Sequence, residues 1–262
     1  MSRRRTIAGK RALVTGASGG IGRAIAVELA QRGACCVLLA RRCDPLHETA
    51  ELVRGAGAKC VEVVGDVTQP ADRQRAIDAA ADGLGGLDLL VNNAGVGAHG
   101  RWLDAPADRL RHLMEVNFFA VAQLTREAMP LLQQGLDPVV VNIGSILGWR
   151  GVPQDAEYCS SKFALRGWGE AIRPELALRG VALLDVSPAS TESGFLQNLV
   201  AGRGEAPWGK QRGTTAEFVA QQVVHAVACR KHHLAAGWRA KAFLALNRYA
   251  PWLLERKLSQ YG

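Results

Sequence analysis

Short apolar runs alternate with longer segments of helical periodicity along the 262-residue chain. The runs are "RALVT" ending at Thr15, "CCVLLA" from Cys35, "CVEVVGDV" from Cys60, "LDLLVNNAG" from Leu87, "PVVVNIGS" from Pro138 and "VALLDVSP" from Val181. Between them apolar residues recur at helical spacing over 21–31, a segment after Pro45, 71–84, 110–132 and 158–178. Several runs are apolar throughout, the pattern of strands covered on both faces. The expectation is an α/β fold, a doubly wound parallel sheet with helices on each side. No internal repeat, low-complexity tract or linker divides the chain. One domain follows, with a core over about 8–236 and a basic, apolar helical extension over about 237–262.

Composition changes this picture little. Hydrophobic residues make up 48% and charged residues 21%, ordinary for a globular chain long enough to bury one sizeable core. The net charge of +8 is densest in "SRRR" near the start and over 230–257. Such ends meet nucleic acid or an anionic membrane, or simply solubilise. Cysteines at 35, 36, 43, 60, 159 and 229 form no CxxC pair, and no histidine spacing accompanies them, so reduced thiols and no metal are expected. The N-terminal region lacks the apolar core of a secretory signal, and no apolar run reaches membrane-spanning length. These features predict a cytoplasmic protein.

The first candidate chemistry is "LVTGASGGIGRAIAVELAQRG", which leaves the first predicted strand and opens the first predicted helix. Gly16, Gly20 and Gly22 free the turn and let backbone approach a ligand, while the helix N-terminus offers N–H groups to a pyrophosphate. Ser18 and Ile21 belong to the same candidate contact surface. The second strand ends in "LLARRC", with Arg41 and Arg42 where a site for NAD usually places an acid. Arginine forms forked bonds to phosphate. The pair therefore points to NADP(H), against the plainer reading of solvated charges at a strand end.

In "EYCSSK", Tyr158 and Lys162 share one face of a helix. Alone the pair is common. Joined to the glycine turn, "GDV", "NNAG", Asn117 and Ser145 in that order, it resembles the short-chain dehydrogenase/reductase family, from Arg11 to about Phe195. The resemblance implies a Rossmann fold and reversible hydride transfer between the nicotinamide and a ketone, aldehyde or secondary alcohol. It implies adenine contacts at Asp66 and Val67, and backbone from Asn93, Ala94 and Gly95 beneath the ribose, with Asn92 stabilising the sheet. Asn117 would bend its helix and hold a water in a proton relay. Ser145 would polarise the carbonyl, Tyr158 would give or take the proton, and Lys162, holding the ribose, would lower the Tyr158 pKa together with the positive nicotinamide ring of the oxidised cofactor. It further implies a homodimer or homotetramer through the helices of Asn117 and Tyr158.

The pattern departs after the sixth strand, in "SPASTESGF". Pro188 matches the family, Ala189 replaces glycine, Thr191 takes a Val or Ile position, and Ser193 stands for the threonine that grips the carboxamide. Ala189 is a problem only where the backbone needs positive φ. Residues over about 193–213, with "FLQNLVAGRGEAPW" at their centre, are expected to form a substrate lid, and Trp149 to line the pocket or pack in a core or interface. The last segment interleaves Trp238, Phe243, Leu244, Tyr249 and Trp252 with Arg239, Lys241, Arg248, Arg256 and Lys257, and Pro251 should break any helix there. It suits a membrane surface, or packing on the protein or a second subunit. No recognised nucleic-acid module accompanies it, so no nucleic acid is expected. A catalytically silent NADP(H) sensor or scaffold is the alternative to a reductase of hydrophobic carbonyl compounds.

Overall fold

The computed structural model describes residues 4–192, 199 and 213–261. Among them the chain runs β1 (Arg11–Thr15), α1 (Gly20–Gln31), β2 (Cys35–Ala40), α2 (Cys43–Gly55), β3 (Cys60–Val64), α3 (Pro70–Asp78) and β4 (Leu89–Asn92). The second half adds α4 (Arg109–Met114), α5 (Ala120–Gln133), β5 (Val139–Ile143), α6 (Ala156–Leu178), β6 (Ala182–Pro188), and the short β7 (Thr191–Glu192) and β8 (Thr214–Thr215). It closes with α7 (Ala216–Ala228), β9 (His233–Ala236), α8 (Trp238–Tyr249) and α9 (Pro251–Leu258).

Seven strands form a sheet in the order β3-β2-β1-β4-β5-β6-β9, every pairing parallel. This is the doubly wound arrangement expected. Apolar runs satisfy it because both faces of the sheet are covered. Leu38 and Val14 pack under Ile25 and Leu29 of α1 and Val223 of α7, while Leu13, Leu39 and Leu90 pack under Leu124 and Leu132 of α5. The strand order reverses between β1 and β4, which opens a crevice at the carboxyl ends of the strands.

Helix and strand positions follow the expected pattern up to β6. The segment expected over 110–132 is one helical run, interrupted by a π-turn at Glu115–Phe119. Beyond the short β7 and β8, the pattern of apolar runs does not announce α7 or β9. The first, "AEFVAQQVVHAVA", buries Ala216, Val219, Ala220, Val223, Val224 and Val227 at helical spacing, and the second is only "HLAA". Pro251 does divide the C-terminal segment: α8 ends at Tyr249, and α9 starts with the proline at its first position. Among the described residues no helix is long and apolar enough to cross a membrane, and no cluster of His, Cys, Asp and Glu could hold a metal ion.

Candidate active site

The crevice widens into a cleft of about 1340 Å³ running from the β2 end to the C-terminal helices. Its nucleotide end is made of backbone. Gly16 and Gly20 take φ of 65° and 53°, conformations that other residues resist. A Cβ on Gly22 would sit 2.4 Å from both the Gly16 carbonyl and Asn93 Nδ2, so only glycine lets the turn close against β4. No side chain caps the N-terminus of α1, whose first N–H groups remain for an anion. The Asn93 side chain donates to the Thr15 carbonyl at 2.9 Å, and the Asn93 and Ala94 amides donate to Thr15 Oγ1 at 3.0 Å, locking β4 to β1 beneath the turn. This cradle fits a dinucleotide.

Arg41 and Arg42 both line that end. Arg42 Nη2 donates to Ser18 Oγ at 3.4 Å over the glycine turn, and the exposed Arg41 lies 3.7 Å from Asp66 Oδ2. Asp66 is also a turn residue, accepting from the amide and hydroxyl of Thr68 at 2.9 Å each. Val67, Ile21, Ala94 and Gly95 complete this stretch of wall. Asn92 faces away, donating to Thr125 Oγ1 and Asn142 Oδ1 at 3.0 Å, which ties β4 to α5 and β5.

Ser145, Tyr158 and Lys162 meet at the centre of the cleft. Ser145 follows β5 and accepts from the Leu147 amide at 3.1 Å, which orients its hydroxyl. It also hydrogen-bonds Tyr158. Lys162 is buried one turn along α6; its ammonium lies 5.8 Å from the Tyr158 ring centroid and donates to the Ile143 carbonyl at 3.1 Å. Asn117 sits in the π-turn, fully buried. Its amide accepts from the Val96 N–H and donates to the Val96 carbonyl and to Ser161 Oγ, all at 2.9 Å. From this turn it ties the loop after β4 to α6.

Burial dominates the electrostatics at Tyr158. Burial pushes its phenol above the ordinary tyrosine value, and Ser145 supplies the opposing pull, with the Cys159 and Asp155 charges adding to the rise. Burial also pulls the Lys162 ammonium down to about 8.

Pro188, Ala189 and Thr191 line the cleft beyond β6. Ala189 is not at positive φ, so it replaces glycine without strain. The Thr191 hydroxyl turns back to the Ala189 carbonyl at 2.9 Å. Ser193 and the expected lid centre over 195–208, Leu199 apart, lie outside the described residues. Trp149 takes the packing role. It lines a smaller cavity of about 220 Å³ behind Ser145 and Lys162, donates to Ser187 Oγ at 2.9 Å, and carries the Arg166 guanidinium 3.6 Å from its ring centroid.

The substrate end contains residues that no motif announced. His99 and Asp155 pair at 3.0 Å in the cleft wall, and burial raises the Asp155 pKa against the pull of His99. From the C-terminal segment, Trp238, Phe243, Leu254, Lys257 and Leu258 close the far side. Asn247 of α8 donates to the Trp149 carbonyl at 3.0 Å, and Glu255 of α9 pairs with Arg150 at 2.9 Å. The extension therefore packs on the loop that carries Ser145.

Comparison with known proteins gives a consistent grouping. A family model described as short chain dehydrogenase matches residues 10–204. The ketoacyl reductase HetN of Nostoc is 30% identical over 98% of this chain and 91% of its own length. The 11-beta-hydroxysteroid dehydrogenase A of Sesamum indicum is 37% identical over 76% of this chain, which spans only 57% of that relative. A short chain dehydrogenase/reductase from Burkholderia phymatum, solved in complex with NAD, superimposes with a TM-score of 0.85 at 29% identity, covering 97% of this chain and 96% of that one. The 3-ketoacyl-(acyl-carrier-protein) reductase of Brucella melitensis, complexed with NADH, gives 0.77 at 25% identity over 87% and 96%.

Proposed function

The chain belongs to the short-chain dehydrogenase family of oxidoreductases, and from that premise we propose an NADP(H)-dependent reductase of hydrophobic ketones or aldehydes, or in reverse a dehydrogenase of secondary alcohols. The convergence of Ser145, Tyr158 and Lys162 beside the glycine cradle carries this reading.

A bound nicotinamide supplies or accepts the hydride. Ser145 Oγ holds and polarises the carbonyl oxygen, and Tyr158 Oη delivers the proton to it as general acid. A phenol kept protonated by burial suits that direction. A positioned acid of this kind contributes about 10²–10⁴-fold in rate. Lys162 binds the ribose hydroxyls, and Asn117 fixes the Val96 backbone and leads the proton path toward solvent. Arg41 and Arg42 favour the cofactor bearing a 2′-phosphate. Among the comparison structures the named cofactors are NAD and NADH, so cofactor choice rests on these two side chains.

A homodimer or homotetramer fits the exposed Phe119 on the π-turn and Phe163 on α6. On α8, Trp238 and Tyr249 are 74% and 73% exposed beside Lys241 and Arg248, which supports peripheral contact with an anionic membrane; recovery of the intact chain with anionic vesicles tests it.

The deciding experiment follows loss of nicotinamide absorbance across aliphatic, aromatic and polycyclic ketones, with NADPH and NADH in parallel. Turnover preferring NADPH is expected. Silence across the panel with tight NADPH binding would favour the sensor instead.

A further inference from the structure

His99 and Asp155 form a buried pair in the cleft wall that the proton transfer above leaves unused. His99 lies in the loop after β4, and Asp155 immediately precedes α6, three residues ahead of Tyr158. The Gly100 amide donates to the Gln154 carbonyl at 2.8 Å and fastens the two segments together. The pair is 4% and 9% exposed, with His99 Nδ1 and Asp155 Oδ1 3.0 Å apart. A carboxylate only accepts, so the His99 Nδ1–H donates to Asp155, and the other ring nitrogen, Nε2, is the atom left for a ligand. That nitrogen is buried and has no hydrogen-bond partner among the described residues, although His99 lines the catalytic cleft. A buried polar atom without a partner costs free energy until a ligand group meets it.

We propose that His99 Nε2 is a second substrate anchor, accepting a hydrogen bond from a hydroxyl carried a few bonds from the reacting carbonyl. The substrate class is then a hydroxy ketone with an apolar body, or in reverse a diol. Asp155 is a positioning residue: it fixes the tautomer. Asp155 stands just before α6, three residues ahead of Tyr158, and His99, Asp155 and Tyr158 all line the same cleft, so one substrate can meet both His99 and Tyr158. The apolar body faces Phe243, Leu254 and Leu258. This inference rests on the reductase reading and sharpens it.

The test uses matched ketones with and without the neighbouring hydroxyl, on the full chain saturated with NADPH. It measures turnover, and also binding by calorimetry. The wild type should favour the hydroxylated compound by about ten- to a hundredfold, the discrimination expected of a buried acceptor left unpaired by the other. His99→Leu should collapse that ratio, and His99→Gln, which keeps an acceptor oxygen, should restore part of it. Asp155→Asn should move the ring proton to Nε2 and shift preference to a methoxy analogue, which can only accept. NADPH affinity of each variant reports that the fold is intact, and the wild-type comparison needs no variant. A wild type blind to the hydroxyl, or a preference that survives His99→Leu, would overturn the anchor. Binding that depends on His99 without turnover of either ketone would retain the anchor and sink the reductase; equal turnover of both ketones would do the reverse.

Discussion

The two ends of the cleft are built differently. The nucleotide end is backbone: glycines in left-handed conformations, uncapped amides, and a turn pressed against β4 so closely that Gly22 has no room for a Cβ. The substrate end is side chains drawn from four distant segments, with His99, Asp155, Phe243 and Leu254 brought together only by the fold. Backbone recognition tolerates few residue types, whereas side-chain recognition can be rewritten one position at a time. The difference predicts which changes are fatal and which merely retune.

Gly22→Val should break the contrast most severely. The new Cβ collides with the Gly16 carbonyl, so NADPH affinity should fall by about a hundredfold or more and stability by roughly 1–3 kcal/mol, read by cofactor titration and chemical unfolding. Lys162 belongs to both ends and gives the next effect. Burial pulls it from 10.5 to about 8, so between those values the unfolded chain binds the proton that the folded chain releases, and stability should rise with pH across that window. Lys162→Met should remove this slope and, near neutral pH, recover stability on the order of 3 kcal/mol less the lost bond to Ile143, while abolishing turnover. Unfolding midpoints measured at several pH values would show the slope or its absence. Arg42→Asp should raise the KM for NADPH about tenfold and change that for NADH little, since only one cofactor presents a phosphate there. Phe243→Ala should be mildest, raising the ketone KM a few-fold while leaving NADPH affinity unchanged, as checked by steady-state kinetics.

Much of the nucleotide end was legible because its chemistry is local. Glycine spacing within one turn, two arginines at a strand end and a tyrosine four residues before a lysine are readable along the chain, and the apolar strands follow from being covered on both faces. What escaped depends on distance or context. His99 and Asp155 are 56 residues apart, and Asn247 reaches back 98 residues to Trp149. The strand β9 is too short to show a period, whereas α7 carries a helical one, apolar at Ala216, Val219, Ala220, Val223, Val224 and Val227, and was legible in principle. Burial, which no local pattern reveals, raises the phenol of Tyr158 against the pull of Ser145. Ala189 is harmless for a reason only backbone angles supply.

Tyr158→Phe tests the central claim most directly, because it deletes one hydroxyl at the junction of the two ends. NADPH affinity and ketone turnover should be measured on the same preparation. The predicted result is unchanged affinity with turnover reduced about a thousandfold or more. Turnover that persists, or affinity and turnover that fall together, would contradict Tyr158 as the proton donor.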